Sequence, residues 1–266
     1  MGECMNARGS DEGTPSLSVL IVDDNEINRF YLLHALRKMG HNPVAAEDGG
    51  QAVTLFSSQP FDLVFMDVQL PDMDGLALTR LIREGRAGAR NDARIPIVAL
   101  TAFASREDRD RCRAAGMDEH LAKPASSADI AVAIARVLAA TPRHADASSE
   151  DAGGFDLQAF TRESNREFAE EMLSLFLELA EPKRLALARA VERGDVAAAA
   201  PLAHDLAGMA GPIRATRLHA AMKAVQEACG AGSLDPCRTR HAVADRELAA
   251  VLAAVRSHPL LADRAT

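Results

Sequence analysis

At 266 residues, and with a typical domain near ~150 residues, the chain has room for two domains. Its apolar fraction of 48% lets each half bury its own core. The net charge of −8, with acidic residues outnumbering basic ones, argues against non-specific binding to nucleic acid or to an anionic membrane.

Met1 to Ser16 is polar and lacks an apolar segment, so it reads as a disordered leader rather than a signal peptide. From residue 17 to about 140, strand-like and helix-like segments alternate. Leu17–Val22 is a branched apolar run, and Glu26–Met39 a helix closed by Gly40. Val44–Ala46, Phe61–Met66, Ile95–Leu100 and Glu119–Ala122 supply four further strands. Gln51–Ser57, a segment around Leu78, Leu81 and Ile82, Arg106–Ala115 and a final stripe at Ile130, Ile134, Val137 and Leu138 read as helices. Such alternation predicts βαβ units, hence a parallel sheet covered on both faces with its ligand site at the carboxyl ends of the strands.

Residues 141–154 are small, polar and charged without periodicity, which reads as a linker. Beyond them, from 155 to 257, the chain is rich in alanine and shows only helical patterns, with 258–266 as a tail. One stripe runs through Phe168, Met172, Leu175, Phe176 and Leu179, after which Pro182 is expected to kink or break the helix. Ala199, Leu202, Leu206, Met209 and Ile213 form another stripe in a helix that Asp195 can cap. Further stripes fall at Leu218, Met222, Val225 and Cys229, and at Leu248, Val251, Leu252 and Val255. Short connections between such helices predict an antiparallel bundle.

The chemistry of the first half lies at the strand ends. Asp23 and Asp24 follow the first strand, Asp67 the third, Thr101 the fourth and Lys123 the fifth. With strand order 2-1-3-4-5 the first and third strands are neighbours, so the carboxylates converge. Clustered carboxylates repel one another. A hard cation resolves that cost, and Mg²⁺ takes one or two carboxylates together with waters and phosphate oxygens. A carboxylate that attacks a phosphoryl group would then have the metal, a hydroxyl and an ammonium beside it.

Asp23-Asp24-Asn-Glu-Ile-Asn-Arg29, the run MDVQLPDMDG from Met66 to Gly75, ALTA at 99–102 and AKP at 122–124 resemble the receiver domains of two-component response regulators. The resemblance implies a flavodoxin-like fold with Asp67 as the phosphoacceptor. It implies Asp24 as the more direct Mg²⁺ ligand, Asp23 as a supporting one, and the Gln69 backbone carbonyl as the last protein ligand. Thr101 and Lys123 then bind the phosphoryl oxygens. His120 stands where the family usually places a switching aromatic residue.

In the second half, His204 points away from the Leu202–Leu206 stripe and has small neighbours at Ala200, Pro201, Ala207, Gly208 and Gly211. An imidazole can attack an aspartyl phosphate only if a partner domain comes within bonding reach, and small neighbours permit that. AHDLAGMAGPIRATRL, residues 203–218, resembles histidine phosphotransfer (HPt) domains, which implies His204 as a phosphoacceptor. Ala207, Pro212 and Arg214 depart from the lysine, polar residue and glycine usual there. His34, His219 and His241 lack the small surround and are expected to be solvated.

Four scattered cysteines without a CxxC point to a reducing compartment, and no run of ~18 apolar residues predicts a membrane span. A cytoplasmic location is expected; Met1 and the polar leader suggest a complete gene product, while receiver–HPt pairs also end larger sensor kinases in families that look similar. No ATP-binding glycine loop accompanies the bundle, and no basic recognition helix suggests DNA binding. The reading is a phosphorelay protein that exchanges a phosphoryl group between Asp67 and His204. Its expected partners are a sensor histidine kinase and another receiver. The alternative is a phosphorylation-switched binding module with the bundle as docking scaffold, and a phosphate sink stands third.

Overall fold

The computed structural model describes residues 16–101, 106–139, 157, 160–161 and 164–262. Residues 1–15 of the expected leader and the whole 141–154 linker lie outside the described residues.

Five parallel strands form one sheet in the order β2-β1-β3-β4-β5. They are β1 (Ser18–Val22), β2 (Asn42–Ala46), β3 (Leu63–Asp67), β4 (Ile97–Thr101) and β5 (Glu119–Ala122). Between and after them run α1 (Glu26–Lys38), α2 (Gly49–Ser58), α3 (Gly75–Arg83), α4 (Arg106–Ala115) and α5 (Ser127–Leu138). The strands read as near-continuous apolar runs because both faces are covered. Alternate residues then feed separate cores. Leu20, Val22, Val64 and Met66 enter one, while Val19, Ile21, Leu63 and Phe65 enter the other.

Helix starts are fixed by side chains that accept a backbone N–H. Asn25 caps α1, Asp48 caps α2 and Asp74 caps α3, while Ser126 and Asp129 form a reciprocal capping box on α5. These caps place the strand-to-helix turns, and thus the polar residues, at one edge of the sheet. Register does the rest. Val22 lies beside Met66, Asp67 beside Leu100, and Thr101 beside Ala122.

The second unit holds α6 (Arg166–Glu192), α7 (Val196–Ala210), α8 (Thr216–Gly230) and α9 (Leu234–Arg256), followed by the short α10 (Pro259–Ala262). Each long helix packs on the next, and α9 returns to α6, so the bundle closes. The expected stripes at Leu218, Met222, Val225 and Cys229, and at Leu248, Val251, Leu252 and Val255, are buried. Leu260 and Leu261 of α10 also pack against this core.

Pro182 does not break its helix: α6 runs unbroken through it. The physical reason lies in exposure. Pro182 and Glu178, whose carbonyl loses its helical partner, are both exposed, so water can satisfy that carbonyl. Phe176, Ala180 and Leu187 stay buried on the opposite face on either side of the proline. The helix is held by packing. Arg214, where glycine is usual, takes the left-handed conformation at φ +59 between α7 and α8. Its amide donates to Gly211 O, and that of Ala215 to Ala210 O, closing the α7 terminus around the unfavourable backbone.

Candidate functional site

The strand-end residues meet as their order predicts. Asp23 and Asp67 are buried, Asp24 is half-buried, and Thr101 closes β4 in a buried position. Lys123 Nζ lies 2.7 Å from Asp23 Oδ2 and also bonds Asp67 Oδ2. Asp23 Oδ1 accepts from the Asn25 amide at 3.0 Å and from Asn28 Nδ2 at 3.3 Å. Asp67 Oδ1 accepts from the Gln69 amide at 3.0 Å.

Electrostatics mark this cluster as underneutralised. Burial raises the Asp67 pKa to about 6, an effect that Lys123 opposes and Asp23 reinforces. Burial, then Asp23 and Asp205, raises Asp24 to about 6 as well. Burial works against the Lys123 charge, but the two facing carboxylates more than offset it and hold the ammonium above its ordinary pKa. One lysine thus serves several acids. Among the described residues, the buried Asp24 Oδ1 has no hydrogen-bond partner. An unpartnered carboxylate oxygen beside other acids in an all-oxygen set is what a hard divalent cation such as Mg²⁺ requires, so these residues fit one.

Gly75 is dictated by close approach. A Cβ there would stand 1.9 Å from the Asp67 carbonyl oxygen, because the 68–74 loop folds back and Gly75 N bonds Val68 O. A cleft of about 530 Å³ borders Asp67 and this loop, lined by Gln69, Leu70, Thr101, Asp108 and Arg111.

His204 is not solvated on a free surface. It is half-buried on α7, facing the receiver-like unit, and its ring nitrogen lies with carboxylate oxygens of Asp24 and Asp67 inside a 4.8 Å cluster. The small neighbours expected around it are at the contact itself. A Cβ at Gly208 would meet Asn25 Nδ2 at 3.1 Å and Asn28 Nδ2 at 3.2 Å. Asn25 Nδ2 also donates to the Asp205 carbonyl at 3.0 Å. The Asp205 carboxylate, whose charge contributes to the rise at Asp24, is itself paired with Lys183 of α6.

Sequence reasoning missed Gln226. Its side-chain amide on α8 sits 3.2 Å from His204 Nδ1, which leaves Nε2 as the ring atom for other contacts. Among the described residues the buried Gln226 Oε1 has no partner, so turning the amide would let that oxygen accept Nδ1–H instead. The available signal was weak: Gln226 follows the buried Val225 on the next helix, a polar residue flanking an apolar stripe.

Two histidines expected to be solvated are not. His34 stacks on Phe168 with ring centroids 3.6 Å apart, and burial lowers its pKa. His219 Nδ1 bonds the Ala207 carbonyl at 2.8 Å, and burial lowers its pKa too, with Lys223, His204 and Lys123 adding to the effect. His241 is half-buried, with Asp245 and Glu192 close enough to offset part of its desolvation. Partners on other elements, the Phe168 ring for His34 and the Ala207 carbonyl for His219, are invisible to helical periodicity.

Among the described residues no helix is long and apolar enough to cross a membrane. Residues 19–135 match the response regulator receiver domain, and residues 171–258 the Hpt domain. The sensor histidine kinase GacS of Pseudomonas protegens is 32% identical over 200 residues, which is 71% of this chain and 22% of that protein. The sensor histidine kinase AruS of Pseudomonas aeruginosa is 32% identical over 222 residues, 83% of this chain and again 22% of the relative. The chain therefore spans less than a quarter of the length of these relatives. The solved receiver domain of sensor histidine kinase PA1611 from Pseudomonas aeruginosa, which has a magnesium ion in its active-site cleft, is 37% identical. That match covers 47% of this chain and 99% of the solved one at a TM-score of 0.42. A receiver domain followed by an Hpt domain makes this chain a two-component phosphorelay protein.

Proposed function

We propose that Asp67 and His204 are the two phosphoacceptors and that the chain carries a phosphoryl group between them. The observation that supports this most is the 4.8 Å cluster of the His204 ring nitrogen with the Asp24 and Asp67 carboxylates. Asp67, loaded by a sensor histidine kinase, holds the group as an acyl phosphate. Asp23, Asp24, Asp67 and the Gln69 carbonyl would hold Mg²⁺, which when bound neutralises charge on the phosphoryl oxygens. Lys123 and Thr101 bind those same oxygens from the protein side.

Transfer then needs a ring nitrogen with a free lone pair. With the Gln226 amide turned so that its Oε1 accepts Nδ1–H, the ring proton stays on Nδ1 and the Nε2 pair forms the new N–P bond. The P–O bond to Asp67 breaks, and its electron pair leaves on the Asp67 carboxylate. The reverse step uses the same atoms, so His204 can equally deliver the group to Asp67 or to another receiver. We place this chemistry in the cytoplasm, where the donor kinase domain and Mg²⁺ are available.

The test uses a small acyl phosphate donor with Mg²⁺ on wild type, Asp67→Asn and His204→Gln. Acid-stable and alkali-stable phosphate are measured separately. Wild type accumulates acid-labile, alkali-stable phosphohistidine, and each substitution removes it. Phosphohistidine that persists in Asp67→Asn would sink the relay order, and phosphate on Asp67 alone would favour the switched binding module that Ala207 suggests. A second outcome follows from Gly75. Gly75→Ala forces the Asp67 backbone away, and a shift near 1 Å should slow phosphate uptake by about 100-fold, read as the initial labelling rate.

A further inference from the structure

The two units meet along a seam. Ile27, Phe30 and Tyr31 of α1 pack into the bundle core, and Gly211 lies so close to the receiver that a Cβ there would collide with Pro124 Cβ. Side chains from both units thereby share one small polar space. A ring nitrogen of His204 and one oxygen each of Asp24 and Asp67 all lie within 4.8 Å of one another.

Two carboxylates and an imidazole differ from the all-oxygen set that suits Mg²⁺. Mg²⁺ is hard and sheds its waters reluctantly, so a histidine nitrogen adds little to its binding. Zn²⁺ and its neighbours in the first transition row are softer and take imidazole nitrogen together with carboxylate oxygen. The charge fits as well, since two carboxylates and a neutral ring carry two negative charges that one divalent ion cancels. Bonds of about 2.0–2.2 Å put tetrahedral ligand atoms roughly 3.4 Å apart, so movements of little more than about 1 Å close the set.

Two further observations point to an ion here. Asp24 Oδ1 is buried with no hydrogen-bond partner among the described residues, so a cation there displaces no protein hydrogen bond. Gln226 occupies His204 Nδ1 at 3.2 Å and leaves Nε2 for the metal. Its own Oε1, also without a partner among the described residues, can turn to accept the Nδ1–H that a metal-bound imidazole carries. Ligating histidines are commonly held by such an outer acceptor, which fixes the tautomer and the ring plane.

We propose that Asp24, Asp67 and His204 form a transition-metal site bridging the two domains, one that takes Zn²⁺-like ions through the imidazole and, when filled, shuts the relay by covering both phosphoacceptors. The ion shares Asp24 and Asp67 with Mg²⁺, so the two exclude each other. The site stands on the ligand geometry; only its inhibitory effect rests on the reading of Asp67 and His204 as phosphoacceptors.

The test titrates the metal-free full chain with Zn²⁺, with Co²⁺ as its coloured stand-in, and separately with Mg²⁺. Wild type, Gln226→Ala and His204→Gln are compared. Wild type should take up a single equivalent of Co²⁺ with a visible absorption band that Zn²⁺ bleaches. Losing an outer-shell partner weakens metal sites about 10–100-fold, so Gln226→Ala should lose about tenfold in Zn²⁺ affinity and His204→Gln about 100-fold or more. Mg²⁺ affinity should change less than about twofold in both variants, because its ligands are all oxygens. Zn²⁺ affinity unchanged in His204→Gln places the ion on other side chains and overturns the proposal. A matching loss of Mg²⁺ affinity overturns it too, since the imidazole would then confer no selectivity. Labelling of Asp67 by a small acyl phosphate with Mg²⁺ should fall as Zn²⁺ is added to wild type, and His204→Gln should need about 100-fold more Zn²⁺ for the same loss. Equal sensitivity of the two proteins overturns the shut-off. If neither residue carries phosphate, the phosphoacceptor reading has failed and the metal titrations alone judge the site.

Discussion

Replacing Lys123 with methionine should destabilise the Mg²⁺-free receiver by about 3–5 kcal/mol, the usual consequence of removing one partner from a buried ion pair. The side chain stands between Asp23 and Asp67, and both carboxylates are buried. Burial already raises the Asp67 pKa to about 6 with the ammonium in place, so losing it leaves those charges with backbone and asparagine donors alone. The measurement is urea unfolding of the receiver transition in chelator and in Mg²⁺. Methionine preserves the stem, so the difference reports the charge more than the packing. In Mg²⁺ the gap between variant and wild type should shrink, because a divalent cation can replace the missing counter-charge. Phosphate uptake should not recover in parallel, since Mg²⁺ cannot supply the second contact that Lys123 makes with the phosphoryl oxygens. Equal gaps in chelator and in Mg²⁺ would show that the cluster does not take the cation.

The receiver pocket was legible because each of its side chains follows a strand by fixed rules. A parallel sheet places the residues after β1, β3, β4 and β5 at one edge, and the caps at Asn25, Asp74 and Ser126 hold the turns there. The bundle stripes were legible for a similar reason, since helical spacing alone selects the buried face. What could not be read concerns relations between elements remote in sequence. Ile27, Phe30, Tyr31 and His34 have helical spacing, but a helix expected to cover a sheet gives no cause to look for a second buried face. That second stripe was the available signal for the seam. That α6 continues through Pro182 was not legible, because local chemistry cannot say that the lost hydrogen bond falls on the solvent side of a helix held by Phe176, Ala180 and Leu187. Small residues around His204 correctly signalled close approach. The identity of what approaches, Asn25 and Pro124 of the same chain, emerges only in three dimensions.

Phe168→Ala should be the most damaging single truncation at the seam, costing about 3–5 kcal/mol as buried Phe→Ala changes commonly do. Phe168 sits in the first turn of α6, its amide bonded to the capping Asn165 side chain at 2.7 Å. Its ring serves two clients at once. Within the bundle it tilts against Phe160, and across the seam it stacks with Phe30 and His34. Phe30 is only partly buried and touches the bundle from the receiver side, so Phe30→Ala should cost less. The informative quantity is the coupling between the two changes. Aromatic pairs are worth about 0.5–1.5 kcal/mol beyond their buried area, so the double variant should lose that much less than the sum of the singles. Unfolding of the full chain, followed separately by receiver and bundle probes, measures this. A coupling near zero would mean that each ring stabilises only its own domain, and α1 would then be an ordinary amphipathic helix with an exposed aromatic edge. A coupling in the expected range would mean that receiver stability and bundle stability are one quantity at this seam. The distance from Asp67 to His204 would then be set by the same contacts that hold α6 and α1 together, so that a mutation far from either phosphoacceptor could change the transfer rate by changing how often the two domains are docked.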